Sequence, residues 1–537
     1  MTQTKQDTPP LDHLIVQGLW FFGIIGVYLM ILSMNQGTFI YTLDDPYIHL
    51  ALAEQISQGH YGVNAGEPSS PSSSAIWPLL LAPFARHASG ELAPLLLNAL
   101  CGAITGFVLV RRFRLLSPTP TDNSPKGHIF RALLTVAVLI SGNALGLVFT
   151  GMEHTLQLLC AVVVVDAMLN VASGTNRERP LEWWHWAALI AGPLVRYENL
   201  ALTVAGCGFL LLSRHWKPAF IAGLCALTAI AGYTVFLLTL GLEPLPNSVQ
   251  AKLAMTGPAG SDSLLGGMWA HLASALQLAR GQAVASLILV ALGFACCRRP
   301  FDGLAKVAAG VAAAGLMHLL VGKFGWFNRY EAYVSGAVAF GVLALALAAV
   351  TTSKRSLPLS TGIFALVASG VLAFPYLVGL IQVPTAANNI YEQQYQMHRF
   401  LAERWQRPVA VNDLGLVAYR NDQYVLDLWG LASHEALVAQ TTGTDPNWMQ
   451  RLTEQHGTQL AIIYQEAFPA RPAHWVKVAE MRLSKPRITP AQSRVSFYAT
   501  HPNQADAIES LLADFKNTLP VGVTFTTRAE HQANPDQ

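Results

Sequence analysis

Long apolar runs separated by short polar loops dominate the first two thirds of the chain. Leu133–Thr150, Leu156–Ala172 and Phe220–Leu240 are almost free of charge. Each is close to the roughly 20 residues that a helix needs to cross the hydrocarbon core of a bilayer. Leu14–Leu32 is also apolar, and it lacks the small-residue cleavage site of a signal peptide. This pattern predicts a polytopic α-helical membrane protein that keeps its first span.

The pattern changes near Gln382 to that of a water-soluble mixed α/β domain. We therefore predict two domains, a transmembrane module at 1–381 and a soluble domain at 382–537. Strands are predicted at Pro408–Val411, Tyr424–Leu428, Leu460–Tyr464, Trp475–Met481 and Val495–Ala499. Helices are predicted at Asn389–Trp405, Trp448–His456 and Gln504–Asn517, with disorder at Ala529–Gln537.

Composition supports this division of a 537-residue chain that is 52% hydrophobic, 12% charged and has a mean hydropathy of +0.36. Soluble domains carry about 25% charged residues. A net charge of +2 without a basic arm gives no support for nucleic-acid binding. All six cysteines lie in or beside apolar segments, so the soluble domain is not a disulfide scaffold.

Basic loops predict the orientation, because lysine and arginine accumulate on the cytoplasmic side of a membrane. Placing every cluster inside gives about eleven crossings and a cytoplasmic N-terminus. The first loop, at 35–74, and the soluble domain are then external. We therefore predict a protein of the bacterial inner membrane whose soluble domain lies in the periplasm. The clusters are Arg111-Arg112-Phe113-Arg114 with Lys126 and Arg131, Arg177 and Arg179, Arg214 and Lys217, Arg298-Arg299, and Lys354-Arg355.

Glu182–Ser213 has basic residues on both sides but is long enough only for two half-length helices. We predict a re-entrant or short hairpin with Arg196-Tyr197-Glu198 at its tip. Further charges of the membrane half are predicted to lie near the outer surface, where a membrane active site would need them. They occur in Asp44-Asp45-Pro46-Tyr47 with His49, Glu153-His154, Asn247 with Lys252, and Lys323 to Glu331.

Asp44 and Asp45 are adjacent, so they point in different directions and would do different work. One could accept a proton from an acceptor hydroxyl, and the other could bind a divalent ion or hold an arginine. Alternatively, they only cap a helix at Pro46–Gln58, because Asp before Pro is a common helix start. That helix is predicted to lie along the membrane surface.

The other charges also have structural alternatives. Arg196 and Glu198 could be an ion pair that fixes the hairpin, and Glu153 could favour the dipole of the following helix. Arg329 could anchor lipid headgroups, and Lys252 could simply be solvated. Taken together, Arg196, Lys252 and Arg329 could hold a pyrophosphate-like or phosphodiester leaving group. The chain has no Walker A loop, dinucleotide fingerprint, HExxH or GxSxG element.

Several short motifs resemble those of GT-C glycosyltransferases, in the branch of the mycobacterial cell-wall arabinofuranosyltransferases. They occur in the family's order over nearly the whole chain. They are Asp44-Asp45-Pro46-Tyr47-Ile48, Gly59-His60-Tyr61-Gly62, Ser70-Pro71-Ser72-Ser73, Trp77-Pro78-Leu79-Leu80, Gly151-Met152-Glu153, Leu194-Val195-Arg196-Tyr197-Glu198, Leu245-Pro246-Asn247-Ser248 with Ala251-Lys252, Asp413-Leu414-Gly415 to Ala418-Tyr419, and Asp427-Leu428-Trp429-Gly430-Leu431.

The resemblance implies inverting transfer of a sugar from a polyprenyl-phosphate donor to a glycan, lipid or protein outside the cytoplasm. It implies that Asp44 is the general base and that Asp45 assists it, or binds a divalent metal ion if one is used. Donor-phosphate contacts are implied for Arg196, Lys252 and Arg329. A cavity position is implied for Glu153, and we predict further cavity or substrate contacts for His49, Glu198, Asn247 and Tyr330.

Two departures from the family pattern concern sugar specificity: Tyr197 replaces a proline, and Pro46 replaces a small residue. Other functions stay open at this point. A transporter or lipid flippase would place ionisable residues along a path through the membrane. A non-enzymatic envelope assembly protein would tolerate loss of Asp44 and Arg196. A transferase of phosphorylated groups is also compatible with the charges. Asp413 and Asp427 could be structural turn residues.

Overall fold

The computed structural model describes residues 10–117, 124–173, 181–256, 264–352, 359–443 and 445–533, with side chains omitted at 252–256, 264, 351–352, 359–369 and 371–372. Within them the chain forms two compact units. The helical unit takes the described residues of 1–27, 95–231 and 258–381, and the sheet unit those of 28–94, 232–257 and 382–537. The predicted division into domains 1–381 and 382–537 stays a prediction.

Among the described residues, sixteen α-helices begin before residue 382. They are α1 (Leu11–Met34), α2 (Asp45–Ser57), α3 (Trp77–Ala85), α4 (Ala93–Leu116), α5 (Pro125–Ser141), α6 (Ala144–Val148), α7 (His154–Ala172), α8 (Trp183–Val195), α9 (Leu200–Leu212), α10 (Trp216–Thr239), α11 (Asn247–Thr256), α12 (Leu264–Leu276), α13 (Ala279–Cys297), α14 (Gly303–Val321), α15 (Ala332–Thr352) and α16 (Leu359–Glu392).

Seven apolar stretches among the described helices are long enough to cross a membrane. They lie in α1, α4, α7, α10, α13, α14 and α15. The helical multi-span architecture is therefore confirmed, whereas the count of about eleven stays a prediction. The span predicted at Leu133–Thr150 differs: α5 starts earlier, at Pro125, and ends at Ser141, and α6 follows as a short separate helix. The chain turns there because Asn143 adopts a left-handed conformation, with φ of 49°.

The predicted half-length helices in Glu182–Ser213 are confirmed as α8 and α9, each of 13 residues. Two arginines assigned to basic loops are instead buried in helices. Arg112, in α4, donates from Nε to Asp166 Oδ1 at 2.5 Å, and Arg131, in α5, donates from Nε to Asp12 Oδ2 at 2.7 Å. The physical reason is that each carboxylate lies in an apolar helix, where a buried charge needs a partner.

The C-terminal region contains α17 (Gln394–Phe400), a π-helical turn at Leu401–Trp405, β1 (Val409–Val411), α18 (Gly415–Ala418), β2 (Val425–Asp427), α19 (His434–Thr442), α20 (Trp448–Gln455), β3 (Leu460–Ile463), β4 (Val476–Arg482), β5 (Arg494–Ala499), α21 (Ala505–Lys516), β6 (Thr524–Thr527) and α22 (Arg528–Ala533). The sheet order is β2-β1-β3-β5-β4-β6. β1 is parallel to β2 and β3, and the remaining pairs are antiparallel.

The mixed α/β prediction is confirmed, but some elements differ, and α18 and α19 were not predicted. β6 is absent from the predicted strands, because its sequence Thr-Phe-Thr-Thr has only one apolar position. The predicted helix Asn389–Trp405 is interrupted at Gln393, where α16 has ended and α17 begins. The prediction of disorder at Ala529–Gln537 is wrong for the residues up to Ala533, because α22 covers them. Residues 534–537 lie outside the described residues.

Candidate functional site

Asp44 stands directly before α2 in the sheet unit, and its carboxylate binds two backbone N–H groups of a distant motif. Gly415 N donates to Oδ2 at 2.7 Å, and Leu416 N donates to Oδ1 at 2.9 Å. A side chain at position 415 would overlap Asp44, because a Cβ built on Gly415 meets both its carbonyl oxygen and its carboxylate. Two motifs that are far apart in sequence, Asp44-Asp45 and Asp413-Leu414-Gly415, therefore meet within one unit.

The capping alternative for Asp44 is corrected by these contacts. Asp44 occupies the position before α2, but its side chain makes no capping hydrogen bond to that helix. Its oxygens accept instead from the first residues of α18, 371 and 372 positions away. The geometry at the start of α2 is therefore set by the Asp-Pro sequence and by the carbonyl of Asp44, which accepts from Tyr47 N at 3.0 Å.

Burial raises the pKa of Asp44 to about 8. The carboxylates of Asp413 and Asp45 raise this pKa further, and the N–H groups of Leu416 and Gly415 oppose the shift. The reason is that like charges close together in a poorly solvated site favour the neutral acid. Burial also raises the pKa of Asp413, with Asp45 contributing. The three carboxylates therefore form an electrostatically coupled cluster in which Asp44 is poised near neutral pH.

Asp413 follows β1, and Tyr464 follows β3, the parallel neighbour of β1. The carboxyl ends of parallel neighbours meet at one edge of a sheet, which is where α/β proteins often bind ligands. Tyr464 donates from its hydroxyl to Asp413 Oδ2 at 2.5 Å, and Gln394 Nε2 donates to the same oxygen at 2.7 Å. These two hydrogen bonds fix the position of the Asp413 carboxylate within the cluster that it forms with Asp44 and Asp45.

Asp427 also lies at this edge, at the end of β2. Its Oδ1 accepts from Trp429 N at 2.8 Å, and its Oδ2 accepts from Ala432 N at 2.8 Å. Both oxygens are thus used to close the turn after the strand, which is the structural role that the sequence left open for it. Burial raises the pKa of Asp427 to about 6.

The serine-rich motif of the first loop contacts two further motifs of the sheet unit. Ser72 Oγ lies 3.1 Å from Nδ1 of His49, which is buried in α2. Ser70 Oγ accepts from Asn247 N at 3.1 Å, and Ser73 Oγ donates to Ser248 at 3.2 Å. His49 and Asn247 are thus both anchored by one short segment, which the sequence did not indicate.

Arg196, Glu153 and Glu198 come together in the helical unit. The buried guanidinium of Arg196 donates from Nη1 to Glu153 Oε1 at 2.6 Å, and from Nη2 to Glu198 Oε1 at 2.7 Å. Nε donates to the second oxygen of Glu198 at 3.1 Å. The ion-pair alternative for Arg196 and Glu198 is therefore supported, and Glu153 adds a second carboxylate. Two carboxylates also neutralise much of the positive charge that a phosphate would find at Arg196.

Tyr330 lies between two arginines of this unit. The guanidinium carbon of Arg196 is 5.8 Å from the centre of the Tyr330 ring, and that of Arg329 is 5.1 Å from it. Arg329 is buried and also donates from Nη2 to the Tyr330 hydroxyl at 3.3 Å. A left-handed turn precedes it, with positive φ at each of residues 325–328. Such strain is costly and is kept where surrounding contacts impose it.

The predicted site residues thus fall into two groups. Asp44, Asp45, His49 and Asn247 belong to the sheet unit. Glu153, Arg196, Glu198, Arg329 and Tyr330 belong to the helical unit. The side chain of Lys252 lies outside the described residues, and its backbone belongs to α11.

Sequence reasoning missed Gln394 and Tyr464 as partners of Asp413. A signal existed, because Tyr464 ends a predicted strand and Asp413 comes two residues after another. The order of those strands in the sheet was needed to join them. Within the described residues, no group of three or more His, Cys, Asp or Glu side chains has the geometry to hold a metal ion.

Comparison with protein families gives one match, to a domain of unknown function (DUF8728), over residues 388–498. No curated protein matches the chain. The family match covers much of the region that carries Asp413, Asp427 and Tyr464. It assigns no activity to them.

Three solved membrane glycosyltransferases of the GT-C type are similar to the chain at low identity. ArnT from Cupriavidus metallidurans, solved with bound undecaprenyl phosphate, is 12% identical with a TM-score of 0.47, covering 90% of this chain and 97% of that one. The apo oligosaccharyltransferase of Archaeoglobus fulgidus is 12% identical with a TM-score of 0.48, covering 88% and 73%. The mycobacterial arabinofuranosyltransferase AftD is 13% identical with a TM-score of 0.41, covering 90% and 42%.

Proposed function

We propose that this protein is an inverting glycosyltransferase that moves a sugar from a polyprenyl-phosphate donor to an acceptor outside the cytoplasm. The observation that carries the proposal is the environment of Asp44. Its carboxylate is oriented by two N–H groups, and burial raises its pKa to about 8. A general base works best when its pKa is close to the working pH.

The proposed reaction is a single displacement. Asp44 takes the proton of the acceptor hydroxyl as the hydroxyl oxygen forms a bond to the anomeric carbon. The bond between that carbon and the phosphate oxygen breaks, and the polyprenyl phosphate leaves with the electron pair. Because attack and departure occur on opposite faces of the sugar, the anomeric configuration inverts.

Donor-phosphate binding by Arg196, Lys252 and Arg329 is carried over from the family resemblance. In the helical unit, the charges of Arg196, Arg329 and Lys323 are opposed by Glu153 and Glu198. Lys323 interacts electrostatically with both Glu198 and Arg196. Three positive and two negative groups have a net charge of +1, which favours the binding of an anion. Arg329, which is buried beside Tyr330, is a further candidate for direct contact with a phosphate.

The decisive experiment is transfer of labelled sugar by the purified full chain in nanodiscs, using a panel of polyprenyl-phosphate sugars. Asp44→Asn should abolish transfer, because an amide cannot accept the proton. Asp427→Asn is a matched control, since Asp427 also accepts two backbone N–H bonds in the same unit. Each variant leaves one N–H without its acceptor, at a cost of about 1–3 kcal/mol in stability.

Product from the wild type and from Asp427→Asn, with none from a folded Asp44→Asn, would support the proposal and identify the donor. Equal transfer by Asp44→Asn would remove Asp44 from the mechanism. Failure of every donor with the wild type would instead favour the transporter and assembly-protein alternatives.

A further inference from the structure

A polar cavity of about 320 Å³ lies within the sheet unit, apart from the contacts of Asp44 with α18. Four separate segments line it: the first loop near Glu67, the stretch from Leu240 to Asn247, the start of α19 and the end of α20. Small-ligand pockets typically occupy about 300–1,000 Å³. The cavity is therefore large enough for one small polar group, such as a single sugar ring.

Asn247 gives the first sign of a ligand. Its side chain is 1% exposed and lines the cavity, and among the described residues its Nδ2 has no hydrogen-bond partner. The backbone N–H of the same residue donates to Ser70 Oγ, which anchors the main chain of Asn247 beside the cavity. A buried amide donor without an acceptor is costly, and native proteins usually satisfy such groups with water or a ligand.

The remaining lining is rich in groups that recognise hydroxyls. Glu67, Gln455, His434 and His456 all line the cavity. Carboxylate, amide and imidazole groups can together accept from and donate to hydroxyls, which are themselves both donors and acceptors. The His456 ring stacks on Tyr424 with centres 4.4 Å apart and planes inclined by 5°. Tyr424 thus holds the His456 ring in place at the cavity wall, where the C–H face of a sugar ring can pack against that imidazole.

The charged groups that line this cavity do not suit a phosphate group. No lysine or arginine is among its described lining residues, which include the carboxylates Glu67 and Glu435. Glu435 is paired at 3.1 Å with Arg451, which is about half exposed. A phosphate group would therefore meet carboxylates and no lining cation, whereas an uncharged hydroxyl-rich group would meet suitable partners.

We infer that this cavity binds a neutral sugar residue of the glycosyl acceptor. The inference rests on the proposed function, because a glycan acceptor would supply that sugar. It adds a second contact to the proposed reaction. Besides the hydroxyl that reacts, the acceptor would present a sugar ring that binds to Asn247, Glu67 and Gln455.

Binding can be measured without any transfer reaction. The probes are methyl glycosides of glucose, mannose, galactose and arabinose, each added alone to the full chain in nanodiscs and followed by saturation-transfer NMR. At least one glycoside should bind, and Asn247→Ala and Gln455→Ala should each weaken it about ten-fold, the effect of one lost hydrogen bond. Gln450→Ala is the matched control, because Gln450 lies on the same helix and does not line the cavity.

Glucose 6-phosphate serves as the charged competitor and should not displace the bound glycoside. The inference is overturned if no neutral glycoside binds, if both cavity variants bind like the wild type, or if the phosphorylated sugar competes as well as the neutral one. Asp44→Asn should bind the glycoside normally. Glycoside binding without sugar transfer from any donor would refute the proposed function and leave this cavity assignment standing.

Discussion

At the scale of single residues, the carboxylate of Asp44 is held in one orientation, in surroundings that disfavour its charged form. The N–H groups of Gly415 and Leu416 hold both of its oxygens, while burial and the neighbouring carboxylates oppose ionisation. The hydrogen bonds alone would lower the pKa of a carboxylate. The opposite net shift shows that burial and charge repulsion dominate at this position, as is common where a carboxylate acts on a proton.

We predict that transfer depends on pH through Asp44. The base form increases as pH rises through its pKa of about 8. Because the protonated acid predominates below that pH, kcat/KM should fall about ten-fold for each unit of pH well below 8 and level off above it. The measurement is kcat/KM from pH 5.5 to 9.5 with the wild type and Asp427→Asn, which should share the profile. A flat profile, or one that falls with rising pH, would contradict the assignment of Asp44 as base.

At the scale of elements, buried ion pairs join the helices of the helical unit. Arg112 of α4 and His185 of α8 both contact Asp166 of α7, at 2.5 and 3.0 Å. The three side chains are at most 1% exposed. These contacts matter for stability, because removing one partner leaves a buried charge without a counter-charge in an apolar environment.

We predict that Asp166→Asn lowers the free energy of unfolding by about 3–5 kcal/mol, since the buried Arg112 loses its counter-charge. The control is Glu466→Gln, which breaks a pair with Arg494 in which both side chains are 49% exposed. Exposed pairs contribute about 0–1 kcal/mol, so this variant should resemble the wild type. Thermal denaturation in detergent compares the two, and equal melting temperatures would show that the Asp166 network contributes little.

At the scale of the whole molecule, the orientation in the membrane is a prediction from the basic clusters. Arg298 and Arg299 follow α13 directly, next to the exposed thiols of Cys296 and Cys297. All six cysteines lie in the helical unit. The sheet unit therefore accepts a single reporter cysteine without competition from its own thiols.

We predict that Cys296 and Cys297 face the cytoplasm and that a cysteine at the exposed position Ala513 faces outward. A membrane-impermeant maleimide should label Ala513→Cys in intact spheroplasts and should label Cys296 and Cys297 only after lysis. Cys296→Ser with Cys297→Ser identifies the background signal. Labelling of the native pair in intact spheroplasts, with Ala513→Cys protected, would reverse the proposed topology.

Local patterns were enough to predict several membrane-length helices, the two half-length helices and five of the six strands among the described residues, although not the break within Leu133–Thr150. These features follow from the length of apolar runs and from their periodicity, which are properties of the amino-acid sequence itself. The sequence also singled out Asp44, Arg196 and Asn247, because a polar residue among apolar segments is conspicuous.

Only the tertiary structure decided which of these residues meet. The bonds from Asp44 to Gly415 and Leu416 join positions 371 and 372 residues apart, and that from Arg112 to Asp166 joins positions 54 apart. No local pattern records such pairs, since they depend on the order of strands and on the packing of helices. The pKa of Asp44 belongs to the same category: the residue type was visible in the sequence, but burial and neighbouring carboxylates arise only when the chain folds.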